Sequence, residues 1–164
     1  MNIACYFCVA VGLSCNLAGA DPLDLIFPYH YMGNIDKVKF NEPSGLVFHP
    51  ARETIFAVGD GGDLCEISTD GTVVKNVHHS EEDYEGITCD PSTGLLYVAV
   101  EGKEQILELD PEDFSLRRTF QLNRVVAGKA VLKEGGQGIE GIAFVPDAEH
   151  PEGGLFYVVN QGIK

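Results

Sequence analysis

The chain is poor in basic residues. It has 11 Lys and Arg against 25 Asp and Glu, and its formal net charge is -14. A surface with this charge repels the phosphate backbone of DNA and RNA, so we expect no binding to nucleic acid. The excess of carboxylates favours cations as ligands instead.

A helical repeat of apolar residues is missing along the chain. The 19 Gly and 8 Pro indicate many turns and short strands rather than long helices. With 45% hydrophobic and 22% charged residues, the composition is that of a globular protein with an apolar core. The sequence therefore predicts an all-β fold.

The signature motifs of several enzyme and metal-site classes are also missing. Residues 21–164 contain no Cys-x-x-Cys pair, no nucleophile elbow and no P-loop, so the corresponding zinc, hydrolase and nucleotide sites are not expected. The phrase GDGGD, from Gly59 to Asp63, has the composition of a calcium loop but lacks the ligand spacing of an EF-hand.

Residues 1–20, MNIACYFCVAVGLSCNLAGA, are typical of an export signal peptide. The apolar run from Ile3 to Leu17 ends at the small residues 18–20, and it is shorter than the roughly 20 apolar residues of a transmembrane helix. Because no Lys or Arg precedes the run, a retained membrane anchor and a buried N-terminal segment stay open as alternatives. We expect an exported protein that is periplasmic, secreted or associated with the cell envelope.

Removal of residues 1–20 leaves two cysteines, Cys65 and Cys89. An exported pair is able to form a disulfide. In the alignment of internal repeats described next, however, Cys65 corresponds to Leu107, and Cys89 corresponds to Phe48 and Phe144. These equivalences favour two thiols that fill the core.

Three self-similar segments follow one another at 42–77, 84–120 and 139–162. They contain the opening phrases PSGLVFHP, YEGITCDP and IEGIAFVP, each of which leads to a second apolar run. In the first two segments an alternating run follows, DLCEIS or QILELD, and then a fourth run, TVVKNV or SLRRTF. Four strands in about 40 residues, repeated in tandem, indicate blades of a β-propeller.

The predicted ring is incomplete. Residues 42–164 hold about two and a half four-stranded blades, whereas propellers close with about 4 to 8. We expect an N-terminal portion of a propeller whose missing blades belong to a longer chain, and assembly with other copies of this chain is the alternative. Residues 21–41 form an N-terminal strand segment, in which LIFPYHYMGNIDKV (25–38) predicts a single strand.

The three opening phrases, each followed by an apolar strand, resemble the SdiA-regulated family of exported bacterial β-propellers, which is itself similar to phytase-like propellers. The resemblance runs from Glu42 to Gly162. It implies a ring of about five or six blades that holds calcium in or near the central channel. The acidic, tryptophan-containing signature of a true β-propeller phytase is missing, since the chain has no Trp.

Two polar positions recur beside the predicted channel, and each is followed by glycine. The first position holds Ser44, Glu85 and Glu140, and the second holds Asp60, Glu101 and Gln161. Oxygen ligands that converge from neighbouring blades suit calcium, which takes about 6 to 8 of them at roughly 2.3 to 2.6 Å. A structural clasp between blades and a catalytic carboxylate are the two alternatives for the same pattern.

Two further groups are weaker candidates. His78 and His79 precede Glu81, Glu82 and Asp83 in a predicted inter-blade loop, which forms either a transition-metal site or a solvated loop. A basic cluster follows the second segment and is either a grip for an anionic substrate or an ordinary outer strand with its loop. Its members are Arg117, Arg118, Arg124, Lys129 and Lys133.

The sequence thus predicts an exported propeller module that binds a cation, with calcium as the expected ion, and acts in binding or scaffolding. Its expected partners are a small anionic ligand or an envelope component. The alternative is a metal-dependent hydrolase, either a phytase-like phosphoesterase or a lactonase-like enzyme. In the phosphoesterase, calcium held by Glu85, Glu101 and Glu140 bridges the phosphate.

Overall fold

The computed structural model describes residue 40, residues 42–132 and residues 138–161. The predicted export signal and the strand predicted at 25–38 lie outside this part of the chain. Twelve β-strands and no helix occur in the described residues. Accordingly, this part of the chain contains no helix with the length and apolarity needed to cross a membrane.

The strands form two four-stranded sheets and two two-stranded ones, with every pair antiparallel. Sheet 1 contains β1 (Pro43–His49), β2 (Thr54–Gly59), β3 (Asp63–Ser68) and β4 (Val73–His78) in that order. Sheet 2 contains β5 (Tyr84–Cys89), β6 (Leu96–Val100), β7 (Gln105–Leu109) and β8 (Leu116–Gln121) in that order. A short hairpin pairs β9 (Val125–Val126) with β10 (Lys129–Ala130), and sheet 3 pairs β11 (Ile139–Pro146) with β12 (Gly154–Asn160).

Chain-order meanders of four strands are the blades of a β-propeller, so the predicted all-β fold and the incomplete ring are confirmed. The second strand of each complete blade is apolar almost throughout, as in TIFAVG and LYVAV, because neighbours cover both of its faces. The fourth strand of sheet 2, LRRTFQ, is an edge strand and is mostly exposed, which explains its polar sequence.

The main core lies between sheets 1 and 2. Strand β5 packs against β1 and β2, so side chains from both sheets lose contact with water. Phe56 is fully buried there, and its ring meets the Phe114 ring edge-on at a centroid distance of 5.9 Å. The buried members of this core are Phe56, Val58, Leu64, Tyr84, Ile87, Cys89, Leu96, Val98, Val100, Leu107, Leu109 and Phe114.

Sheets 2 and 3 pack in the same way, with β11 against β5 and β6. Four aromatic rings meet at this contact, and the centroid of Tyr97 lies 4.8 Å from that of Phe156 and 5.1 Å from that of Phe144. Phe120 joins them from the last strand of sheet 2, with its centroid 5.2 Å from that of Phe156. The repeat therefore stacks sheets face to face around one axis.

Both described cysteines are buried free thiols rather than a disulfide. Cys65 is fully buried on the face of sheet 1 that points away from sheet 2, in a cluster with Ile55, Ala57 and Ile67. Cys89 lies in the core between sheets 1 and 2. Burial raises the pKa of the Cys65 thiol to about 11, which keeps it protonated and unreactive.

The hairpin of β9 and β10 was not predicted by the strand patterns. Its turn is Ala127-Gly128, and both residues have positive φ, at 50° and 76°. Two successive residues in this conformation form the tight turn that matches the twist of a two-residue hairpin. The hairpin belongs to the insertion between sheets 2 and 3, of which residues 133–137 are outside the described part.

Candidate cation site

Each first strand of a sheet contains a β-bulge at the same place. The pairing register shifts in β1, β5 and β11 just before a glycine, so that one residue of each strand has no partner on the second strand. The three unpaired residues are Ser44, Glu85 and Glu140. The first recurring polar position of the sequence is therefore the bulge residue of all three sheets, and a bulge bends its strand and redirects the side chain.

The glycine after each bulge allows neighbouring sheets to touch backbone to backbone. A Cβ atom built on Gly45 would lie 2.9 Å from the Cα of Gly86, and one built on Gly86 would lie 3.0 Å from the Cα of Gly141. No larger residue fits at such distances without moving a strand. We name this column of three residues the glycine stack, and it sets how closely the bulges approach one another.

A second repeated contact fixes the location of the other recurring polar position, which holds Asp60, Glu101 and Gln161. The residue after each second strand donates its backbone N–H to the carbonyl oxygen of the residue before the first strand. The three bonds are Asp60 N to Glu42 O at 3.2 Å, Glu101 N to Asp83 O at 2.9 Å, and Gln161 N to Gly138 O at 3.2 Å. Both recurring positions therefore lie at the same end of the stacked sheets.

Three carboxylates converge at this end. Asp60, Asp83 and Glu85 each offer an oxygen atom, and these oxygens all lie within 4.8 Å of one another. The Oδ1 atom of Asp83 is buried, and no hydrogen-bond donor of the described residues reaches it. The hydroxyl of Ser44 donates a hydrogen bond to Asp60 from the neighbouring bulge. We call Asp60, Asp83 and Glu85 the acidic triad.

Two members of the triad, Glu85 and Asp83, have raised pKa values. Burial raises the pKa of Glu85 to about 7, and the charges of Asp60, Asp83, Glu140 and Glu101 add to the increase. The pKa of Asp83 is raised as well, first by burial and then by Asp60 and Glu101. Carboxylates in such an arrangement need a bound proton or a cation to offset their charge.

Of the remaining predicted ligands, Glu101 and Glu140 lie near enough to the triad for their charges to act on it. Glu101 is buried, with 7% of its surface exposed, and its Oε1 accepts a hydrogen bond of 2.7 Å from the backbone N–H of Gly138. Glu140 is partly buried and near enough for its charge to act on Glu85. Gln161 is exposed and takes part through the backbone bond to Gly138. Glu101 is therefore a structural clasp between sheets 2 and 3 whose charge also acts on Asp83 and Glu85.

Asp83 is the triad member that sequence reasoning did not assign to this site. Its position in the sequence groups it with His78 and His79 in a charged loop, whereas the structure places it beside Asp60 and Glu85. A signal was present, because Asp83 and Glu42 occupy the same repeat position directly before the first strand of sheets 1 and 2.

The two histidines lie in hydrogen-bonded contacts rather than in a group of metal ligands. His78 has Asp63 at 3.0 Å and Glu81 at 3.1 Å, and these carboxylates raise its pKa, Glu81 more than Asp63. The ring of His79 contacts the Tyr84 hydroxyl at 2.6 Å and the Phe114 carbonyl oxygen at 3.0 Å. The loop is therefore fastened to sheets 1 and 2.

The described arginines of the basic cluster are each paired with carboxylates. Arg117 bonds Asp110, and Arg118 bonds Glu108 and Glu152 at 3.1 and 2.7 Å. Arg124 pairs with the buried Glu104 and also donates to the Gly102 carbonyl oxygen at 3.0 Å. Lys129 is exposed on the hairpin, and Lys133 lies outside the described part of the chain. The cluster is spread over two strands and an insertion.

Several solved structures are similar to this chain at low identity. The Pan2 WD40 domain of Neurospora crassa is 20% identical over 48% of this chain and 24% of that one, with a TM-score of 0.41. The β-propeller domain of Cps50 (Swd1) from Myceliophteria thermophila is 10% identical over 74% and 38%, with a TM-score of 0.46. An auxiliary nutrient binding protein of Bacteroides thetaiotaomicron VPI-5482 is 17% identical over 71% and 31%, with a TM-score of 0.45.

The chain spans less than half the length of each of these structures. A comparison with curated protein sequences finds no match. The SdiA-regulated family, in contrast, matches residues 29–158, which are 130 of the 164 residues and include all of sheets 1 and 2 and most of sheet 3. The chain therefore belongs to the SdiA-regulated family.

Proposed function

We propose that this chain is an exported propeller module that binds calcium through the acidic triad and serves in binding or scaffolding. The observation that carries the proposal is the convergence of oxygens from Asp60, Asp83 and Glu85 within 4.8 Å of one another. The export part rests on the signal-like residues 1–20, and the mass of the secreted protein would test it, because cleavage predicts a chain that begins at Asp21.

Calcium suits the chemistry of the triad. It prefers oxygen ligands, takes about 6 to 8 of them and tolerates irregular geometry, so three carboxylates and water molecules form an adequate shell. The triad residues come from two neighbouring sheets, because Asp60 follows β2 and the other two flank the start of β5. A bound cation would therefore join sheet 1 to sheet 2 while it offsets the burial and the like-charge repulsion that together raise the pKa of Glu85.

Calorimetric titration of the purified chain with calcium tests the proposal. At about pH 8, where Glu85 is mostly ionised, we expect saturable binding and a melting temperature that rises with calcium concentration. The change Glu85→Gln keeps the shape of the side chain but removes its charge, and it should weaken binding at least about tenfold.

The matched control is Glu149→Gln, which removes the same charge from an exposed residue in the turn between β11 and β12. This turn lies at the far end of sheet 3 from the triad, so the variant should bind calcium like the unmodified chain. Equal binding by both variants would contradict a triad site, and a folded chain with no calcium binding would reduce the triad to a structural feature of the bulges.

A further inference from the structure

Sheet 3 exposes an apolar face on the side that points away from sheet 2. Alternate residues of a strand point to opposite faces, and here the outward set is apolar in both strands. Tyr157 and Val159 are 60% and 65% exposed, and Val145 and Leu155 are 47% and 42% exposed. We call Ala143, Val145, Leu155, Tyr157 and Val159 the outer face of sheet 3.

The equivalent positions in the other sheets are buried by the sheet that follows. Phe56, Tyr97 and Tyr157 occupy the same register, each paired with the second residue after the bulge glycine of its sheet. Phe56 is 0% exposed because sheet 2 covers it, and Tyr97 is 4% exposed because sheet 3 covers it. Tyr157 occupies the equivalent position in sheet 3, where no described sheet covers it, and it is 60% exposed.

The two described contacts define what fits on such a face. In each one, the first strand of the following sheet packs against the first two strands of the preceding sheet, as β5 does on sheet 1 and β11 on sheet 2. In each one, a glycine of the first strand lies against the glycine of its neighbour. The fitting element is therefore a first strand with a bulge glycine and apolar side chains one and three residues after it.

Strand β1 has these features, and its matching side chains are exposed. Leu46 and Phe48 follow Gly45 by one and three residues and are 56% and 51% exposed. Their equivalents in β5, Ile87 and Cys89, are only 5% and 9% exposed because sheet 1 covers them. The chain therefore exposes the two surfaces that form each of its internal sheet-to-sheet contacts. One is the outer face of sheet 3, and the other is the side of β1 that contains Leu46 and Phe48.

We propose that β1 of a second copy packs on the outer face of sheet 3, and that two copies close one ring of six sheets. The contact is head to tail, and two identical contacts related by a twofold axis close the ring without leaving a free face. Six sheets lie within the range of about 4 to 8 in which propellers close. Gly45 of the second copy would extend the glycine stack beyond Gly141.

Analytical ultracentrifugation of the full chain over a wide concentration range, in calcium and in chelator, tests this proposal. We expect a dimer in at least one of the two buffers. Tyr157→Glu places a charge on the outer face and Phe48→Glu places one on β1. A buried, unpaired charge abolishes an apolar contact, and each change places one in both symmetric contacts, so each variant alone should stay monomeric at concentrations where the unmodified chain is dimeric. Val74→Glu is the control, since Val74 is 55% exposed on β4.

Mixing the two variants separates this contact from any other. Each variant alone has lost one half of the contact, but an equimolar mixture pairs the intact β1 of the Tyr157→Glu chain with the intact outer face of the Phe48→Glu chain. One contact should then form, and a dimer weaker than the unmodified one should appear. Circular dichroism verifies that both variants are folded. A chain that stays monomeric in both buffers, or folded variants whose mixture does not associate, overturns the proposal.

Discussion

Replacing Glu85 by Gln should stabilise the chain when no cation is present. Glu85 is partly buried beside Asp60 and Asp83, and its ionisation brings a third negative charge into the triad. Gln has nearly the same volume and does not ionise. The variant therefore removes both the cost of burying this charge and its repulsion by the neighbouring carboxylates, and it keeps the packing.

The structure gives the size of this effect. The pKa of Glu85 is raised from 4.5 to about 7, a difference of about 2.5, which corresponds to roughly 3 kcal/mol at about 1.36 kcal/mol for each pKa unit. Solvent reaches Glu85 and lowers both the cost of burying its charge and the repulsion, so we expect a gain of roughly 1 to 2 kcal/mol for Glu85→Gln at about pH 8.

The pH dependence has a definite sign. The folded chain holds the Glu85 proton more tightly than the unfolded chain does, so the favourable contribution is complete below about pH 4.5 and is lost as the pH rises towards about 7. In urea unfolding with chelator present, the free energy of unfolding of the variant should rise relative to that of the unmodified chain between about pH 4.5 and about pH 7. At about pH 8, calcium should make the unmodified chain more stable than the variant. A variant that is no more stable than the unmodified chain at about pH 8 in chelator would refute the reasoning.

Two further predictions concern packing and a buried ion pair. Gly86→Ala should destabilise the chain by about 1 to 3 kcal/mol in urea unfolding, because its Cβ would lie 3.0 Å from a backbone atom of sheet 3, whereas Gly61→Ala, with no atom within 4 Å, should be nearly neutral. Glu66 is 1% exposed, and although burial opposes it, its bonds to Arg52 and Thr54 hold its pKa below the usual range. Glu66→Gln should destabilise the chain by about 2 kcal/mol at neutral pH. This loss should become smaller as the pH falls through the pKa of Glu66, because protonation removes the same charge as the substitution. A loss that is equal at all pH values would contradict a stabilising ion pair of Glu66 with Arg52.

The sheets were predictable because their signals are local. Alternation, apolar runs and the Gly and Pro of the turns recur in every unit, so strands such as DLCEIS and QILELD are identified without knowledge of the tertiary structure. The hairpin of β9 and β10 was not, because two-residue strands are too short to show a period. Only its Ala127-Gly128 turn marks it in the sequence.

The candidate site was predictable in part. Repetition alone placed Glu85 and Asp60 at one end of the sheets, since equivalent residues of stacked units occupy equivalent places. Asp83 was missed because its neighbours in sequence, HHSEED, suggest a solvated loop. The sequence shows a glycine after each recurring polar residue, but it does not show that each bulge glycine contacts another glycine, because that contact depends on how whole sheets pack.

The glycine stack also bears on how such an array can grow and change. Where two first strands meet at the glycines, the contact is between main chains, so it makes no demand on the identity of the residues that precede each glycine. The residues two places before the three glycines already differ completely, as Pro43, Tyr84 and Ile139 show. A duplicated unit that keeps the glycine and the apolar residues one and three places after it can therefore dock beside its parent at once, and the residues before the glycine are then free to diverge.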